Sequence, residues 1–172
     1  MAKYLTKEAI RKAPLQAIGR VSVEWSILER ILIQGIEHIA FEYPWHANVF
    51  TANFNIGILL KIFHSLLVGE HKTDPTMKKF SKIRNSIKDA NTDRNKIIHG
   101  LWVGHHKRDT VGLIDFRKGN RLKVEIEPLT INDIEKIADN IRKVGEKLDY
   151  FMKKYVYTIP SLRERLRKSD FH

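Results

Sequence analysis

The sequence predicts a mainly α fold, an up-and-down bundle of long helices with a small β-hairpin inserted between the third and the last of them. Three observations predict it. Apolar residues recur at steps of three and four through the long stretches on either side of residues 101–127. Within that window the period changes to alternation around a glycine turn. Prolines 14, 44, 75 and 160 stand at the edges of the periodic stretches, where proline is tolerated.

Residues 6–13 predict a short first helix, and Pro14 opens the next element. From Leu15 to about Phe41 the stripe is Ile18, Val21, Trp25, Leu28, Leu32, Gly35, Ile36 and Ile39. A second stripe, Val23, Ile27 and Ile31, widens the apolar face. A helix apolar on two sides contacts two neighbours, and a second copy of the chain is one candidate. Tyr43-Pro44-Trp45 breaks the helix, because proline disfavours helical geometry in the residue before it. A second, central helix is expected from about Ala47 to Val68, with Phe50, Phe54 and Phe63 read as core. Asp74 and Pro75 then supply an N-cap and a first helical residue. The third helix carries Phe80, Ile83, Ile87, Ala90, Arg94, Ile97 and Ile98, and Gly100 is its stop. Asn91-Thr92-Asp93 marks a place where it bends or restarts.

Leu113 to Arg117 and Leu122 to Ile126 flank Lys118-Gly119-Asn120 and read as the hairpin, with Leu101-Trp102-Val103 as a further short strand. Thr130, followed three residues later by Asp133, opens the last long helix. Its stripe runs through Ile134, Ile137, Ile141, Val144, Leu148, Phe151 and Tyr155. Pro160-Ser161 ends that element and caps a short basic tail. The expected organisation is one domain over residues 1–172, with the insertion at about 101–127 and the tail at about 158–172.

Composition narrows the function classes. There are no cysteines, which excludes a disulfide framework, a thiolate metal site and a cysteine nucleophile, and fits a reducing cytoplasm. The first residues lack the apolar run of a signal peptide. The most apolar window, Phe54 to Val68, is interrupted by Asn55, Lys61 and His64 and is too short to span a bilayer, so no membrane partner is expected. The formal net charge of +11 favours a polyanionic partner through counterion release and long-range steering. A basic surface kept for solubility is the alternative.

Arg94, Asn95 and His99 are the residues that carry chemistry. Asn95 and His99 are four apart and share a helix face. Arg94 and His99 are five apart, which at roughly 100° per residue splays them by about 140°. That spacing predicts no tight Arg–His pair on one helix, and so a site completed by another element or another subunit. Arg94 also lies on the apolar stripe, where an unpaired guanidinium is costly. Pairing with Glu24 or Glu29 would make it a structural anchor with no chemistry. His99 suits general acid/base work, or it caps the last helical carbonyls.

The run Arg94-Asn95-Lys96-Ile97-Ile98-His99, followed by Gly100-Leu101-Trp102, resembles the Arg-polar-x-x-x-His motif of HEPN domains. These are helical-bundle domains of prokaryotic toxin–antitoxin, abortive-infection and CRISPR-associated systems. The likeness covers roughly residues 14–155, with the hairpin as an elaboration. It implies a homodimeric, metal-independent endoribonuclease without cofactor, acting on single-stranded RNA, with an antitoxin protein as a further partner. In that scheme His99 assists proton transfer as the ribose 2′-hydroxyl attacks the adjacent phosphate, giving a 2′,3′-cyclic phosphate. Arg94 holds the phosphate, and Asn95 orients His99 or the phosphate. Lys96, Trp102, His105, His106, Lys107 and Arg108 are the expected RNA contacts. Some of the toxins carry a tyrosine shortly after the histidine. Trp102 stands there instead, able to stack on a base but not to act as an acid.

Other readings of these residues stand beside the first. The resemblance also fits a non-catalytic module that binds RNA or protein. His105 and His106 read equally as a solvated loop pair. With His99 they lack a fourth ligand at a spacing recognisable for zinc. Lys78, Lys79, Lys82, Arg84 and Lys88 form either an approach for phosphate or a solvated face, as do Arg163, Arg165, Arg167 and Lys168.

Overall fold

A computed structural model describes residues 12–70, 74–104, 110–114 and 126–169. The chain is mainly helical with one small sheet. The helices are α1 (Lys12–Ala40), α2 (Pro44–Thr51), α3 (Ile56–Glu70), α4 (Asp74–His99), α5 (Ile131–Phe151) and α6 (Leu162–Ser169). Strands β1 (Leu101–Gly104), β2 (Thr110–Ile114) and β3 (Ile126–Thr130) lie between α4 and α5. Residues 6–11, the His105-to-Arg108 loop and the Lys118-Gly119-Asn120 turn fall outside the described residues. The chain divides into two units, Met1–Trp25 with Asp89–Arg142, and Ser26–Lys88 with Lys143–His172.

The first unit holds the sheet and the end of α4. β1 pairs antiparallel with β2, setting Leu101 opposite Ile114 and Trp102 opposite Leu113. β2 pairs antiparallel with β3, setting Thr110 opposite Thr130 and Ile114 opposite Ile126. The strands thus begin earlier and end later than the alternating residues alone suggest, and the expected third strand is present. Ala17, Val21 and Trp25 on α1, Ala90 and Ile97 on α4, Leu113, Leu129, and Ile134, Ala138 and Ile141 on α5 are buried. The α1 and α5 sets keep the three-to-four spacing that places apolar side chains on one face, and Ala90 and Ile97 stand seven apart, two turns along one face of α4. α4 runs unbroken through Asn91-Thr92-Asp93.

Two local devices hold this unit's elements in place. Thr130 and Asp133 form a capping box: the Thr130 amide donates to Asp133 Oδ2 (3.1 Å), and the Asp133 amide donates to Thr130 Oγ1 (3.1 Å). Gly100 ends α4, its amide donating to the Lys96 carbonyl at 3.2 Å. A Cβ at this position would come within 2.3 Å of Leu113 Cδ1 and 2.7 Å of the Lys96 oxygen. Glycine is needed here for close approach of the helix end to β2.

In the second unit the expected single helix from Ala47 to Val68 is two helices, α2 and α3. Asn55 is the reason: its Oδ1 accepts the Ile58 amide at 3.1 Å and starts α3 afresh. The break separates the phenylalanines read as core. Phe63 is fully buried, whereas Phe50 is 51% exposed and meets the rings of Phe41 and Phe54. Phe63, Phe80 and Phe151 meet at ring separations of 5.1 and 5.6 Å in the core of this unit. α5 stops at Phe151 and a π-helical segment, Met152–Val156, follows. Met152 fits against Gly35, where a Cβ would lie 2.7 Å from its Cε. Ser161 and Glu164 box the start of α6, and Arg165 ties this tail to Glu70 and to the Ile39 carbonyl.

Part of the second stripe of α1 stays uncovered: Val23 is 59% and Ile27 52% exposed. No helix among the described residues is long and apolar enough to cross a membrane.

Candidate functional site

The end of α4 brings Arg94, Asn95 and His99 into one hydrogen-bonded group. Arg94 Nη1 donates to Asn95 Oδ1 at 2.9 Å and lies 3.2 Å from His99 Nε2. The 140° splay therefore does not keep the pair apart, and the expectation that one helix cannot make it is corrected. The reason lies in side-chain reach and direction. Helical side chains lean toward the N-terminus, so the His99 ring tilts back along the axis. The flexible arginine stem carries its guanidinium around the cylinder to meet it.

A guanidinium can only donate, so in this contact His99 Nε2 is the accepting atom. His99 is exposed, Asn95 and Arg94 are half-buried.

Arg94 is poorly satisfied for a guanidinium in this position. It has no carboxylate within ion-pair distance among the described residues, and its Nε is buried with no hydrogen-bond partner. The charge is instead set against an aromatic face: its Cζ lies 5.8 Å from the centroid of Trp25, which is fully enclosed in the core. Trp25 belongs to the apolar stripe of α1, and nothing in that pattern signals this second role.

Several carboxylates of this unit are engaged elsewhere. Arg20 on α1 binds Glu135 and Asp139 of α5 and has Glu24 3.8 Å from its Nε. Hydrogen bonds to Glu135 and Asp139 raise the Arg20 pKa above its ordinary value. Glu24, one expected mate of Arg94, is thus beside Arg20, and Glu29 belongs to the second unit. Lys96, expected to contact RNA, forms an ion pair with Glu127 of β3 at 2.5 Å. Thr130 holds the Asp133 carboxyl below the usual aspartate value by hydrogen bonding.

Trp102 has a structural task. Its Nε1 donates to the Ile97 carbonyl at 3.0 Å. With the Gly100 amide on Lys96, it satisfies carbonyls of the last α4 turn. His99 was the sequence candidate for that cap, and its Nε2 is instead directed to Arg94. Residues 105–108, the other expected RNA contacts, lie outside the described residues. Among the described residues no three His, Asp or Glu side chains come together as a metal site.

The chain matches no protein-family model, no curated protein and no solved structure.

Proposed function

We propose that this protein is a HEPN-type, metal-independent endoribonuclease acting on single-stranded RNA, serving as a toxin or in phage defence. One observation carries the reading: a half-buried Arg94, without a carboxylate partner among the described residues, directs an N–H at His99 Nε2. A cation left unneutralised beside an accepting imidazole suits a phosphodiester whose neighbouring hydroxyl must lose a proton.

In the proposed reaction the RNA phosphate lies against the Arg94 guanidinium. As the guanidinium turns from His99 onto the phosphate, Nε2 is released and takes the 2′-hydroxyl proton while O2′ attacks phosphorus. The P–O5′ bond breaks, the departing 5′-oxygen takes up a proton, and a 2′,3′-cyclic phosphate remains. Arg94 stabilises the charge that gathers on the phosphoryl oxygens. Asn95 fixes the guanidinium through Oδ1. Only RNA has the attacking hydroxyl.

A homodimer remains part of the proposal, supported by the resemblance and by the exposed Val23 and Ile27 on α1. Because Arg94 and His99 meet within one chain, the second copy would add a proton donor for the 5′-oxygen rather than complete the pair. Analytical ultracentrifugation tests it: a monomer at all concentrations contradicts the dimer.

The cleavage test uses a labelled single-stranded RNA in EDTA. The wild type is expected to cut it. Arg94→Ala and His99→Ala are expected to lose about 100-fold or more, the scale of removing one transition-state donor or one general base. Binding by the wild type without cleavage would favour a non-catalytic RNA-binding module.

A further inference from the structure

The second unit carries a cationic, aromatic cluster that plays no part in the chemistry above. Lys79 projects from α4, and Tyr150, Lys154 and Tyr155 come from α5 and the π-helical segment after it. Lys79 Nζ donates to the Tyr155 hydroxyl at 2.6 Å and sits 4.9 Å from the ring centroid. Lys154 Nζ lies 5.5 Å from the Tyr150 centroid and 5.7 Å from that of Tyr155, and donates to the Tyr150 hydroxyl at 3.2 Å. The π-helical turn explains why residues 150 and 155 cooperate. Widening the turn brings residues five apart onto one face, and such turns recur at functional sites.

Neither Lys79 nor Lys154 has a carboxylate within ion-pair distance among the described residues. Asp149, the acid next to Tyr150 in sequence, is held by Lys153 at 2.6 Å. Two ammonium groups from different elements thus keep their full charge. They are ordered by phenol rings and oxygens, which cost them no charge. Tyr150 is 62% exposed, so one aromatic face is open beside them. Ammonium groups that meet phosphates, with an exposed ring on which a base can stack, are the elements by which proteins hold single-stranded nucleic acid.

We propose that Lys79, Lys154, Tyr150 and Tyr155 form a binding site for single-stranded RNA, in which the lysines contact backbone phosphates and Tyr150 stacks on a base. The choice of RNA over another polyanion rests on the proposed function. The placement of the site rests on the cluster itself. Lys79→Gln/Lys154→Gln removes the charges, Lys79→Arg/Lys154→Arg keeps them, and Tyr150→Leu removes the ring while Tyr150→Phe keeps it.

The measurement is fluorescence anisotropy of a labelled 12-nucleotide oligouridylate, across a salt series in EDTA, with every variant also carrying His99→Ala to prevent cleavage. The Gln pair should weaken binding and flatten the log–log salt slope by about 1.4, from roughly 0.7 per phosphate contact. The Arg pair should restore the slope. Tyr150→Leu should weaken binding roughly fivefold or more and Tyr150→Phe should not, following the worth of base–aromatic stacking. Tyr150 is on the surface, so this comparison stands if the lysine pair fails to fold. Unchanged affinity and slope in the Gln pair, or equal binding by Tyr150→Leu and Tyr150→Phe, overturns the site. So does absence of oligouridylate binding by the His99→Ala parent. Cleavage by the wild type with unaltered binding in these variants leaves the ribonuclease and removes the site. Altered binding without any cleavage by the wild type does the reverse.

Discussion

Replacing Arg94 with methionine separates a functional arginine from a structural one. Methionine keeps an unbranched apolar stem in the stripe and removes the charge. The loss includes a cation–π contact with Trp25 at 5.8 Å, worth about 1 kcal/mol. It also includes two hydrogen bonds, to Asn95 and His99, at about 1 kcal/mol each. The gain is relief of a buried Nε without a partner, which costs about 2 kcal/mol. Arg94→Met should therefore cost only about 1 kcal/mol, a fall of roughly 2–4 °C in melting temperature for a chain of this size. RNA cleavage should nevertheless fall by about 100-fold or more. Urea denaturation gives the stability, provided the slope is unchanged, and cleavage in EDTA gives the activity. A residue whose removal barely affects the fold and abolishes turnover is what a ligand-binding arginine looks like. A loss of about 3–5 kcal/mol, the scale of a broken buried ion pair, would refute this reasoning and make Arg94 a structural anchor.

Gly100→Ala should cost about 1–3 kcal/mol, because its Cβ would strike Leu113 Cδ1 and the Lys96 carbonyl. Denaturant midpoints with and without Leu113→Ala test whether the two changes are coupled, and strict additivity would contradict the clash. Trp102→Phe should lower stability by about 1 kcal/mol through loss of the bond to the Ile97 carbonyl, read from the same midpoints. The Asp133 pKa is depressed by Thr130, so its contribution is fully present above the ordinary aspartate value and fades as pH falls through the lower folded value. Thr130→Ala should flatten that part of the stability–pH profile, and an unchanged profile would count against the capping box.

Much of the fold can be read from local pattern. The apolar steps along α1, α4 and α5 survive as buried faces, and Thr130-x-x-Asp133 is the cap its residue types suggest. The division of α2 from α3 was hidden because Phe50, Phe54 and Ile58 keep a step of four straight across it. Only the Asn55 side chain decides, and an asparagine inside a periodic run carries a weak signal. The motif residues of the site were visible, but their geometry was not. Angular spacing lets an arginine reach only partly around the helix, and Arg94 reaches the whole way to His99. Trp25 and Trp102 were missed in their observed roles for a related reason. A tryptophan in sequence gives no hint whether its face meets a cation or its N–H meets a carbonyl, since both depend on packing.

The central claim is that the Arg94–His99 pair cleaves RNA through the 2′-hydroxyl. The most direct measurement is the chemistry of the new RNA ends after incubation of a single-stranded RNA with the protein in EDTA. Wild type should leave 2′,3′-cyclic phosphate and 5′-hydroxyl ends, and His99→Ala should leave the RNA intact. Intact RNA with the folded wild type, or 3′-hydroxyl ends that persist in His99→Ala, would contradict it.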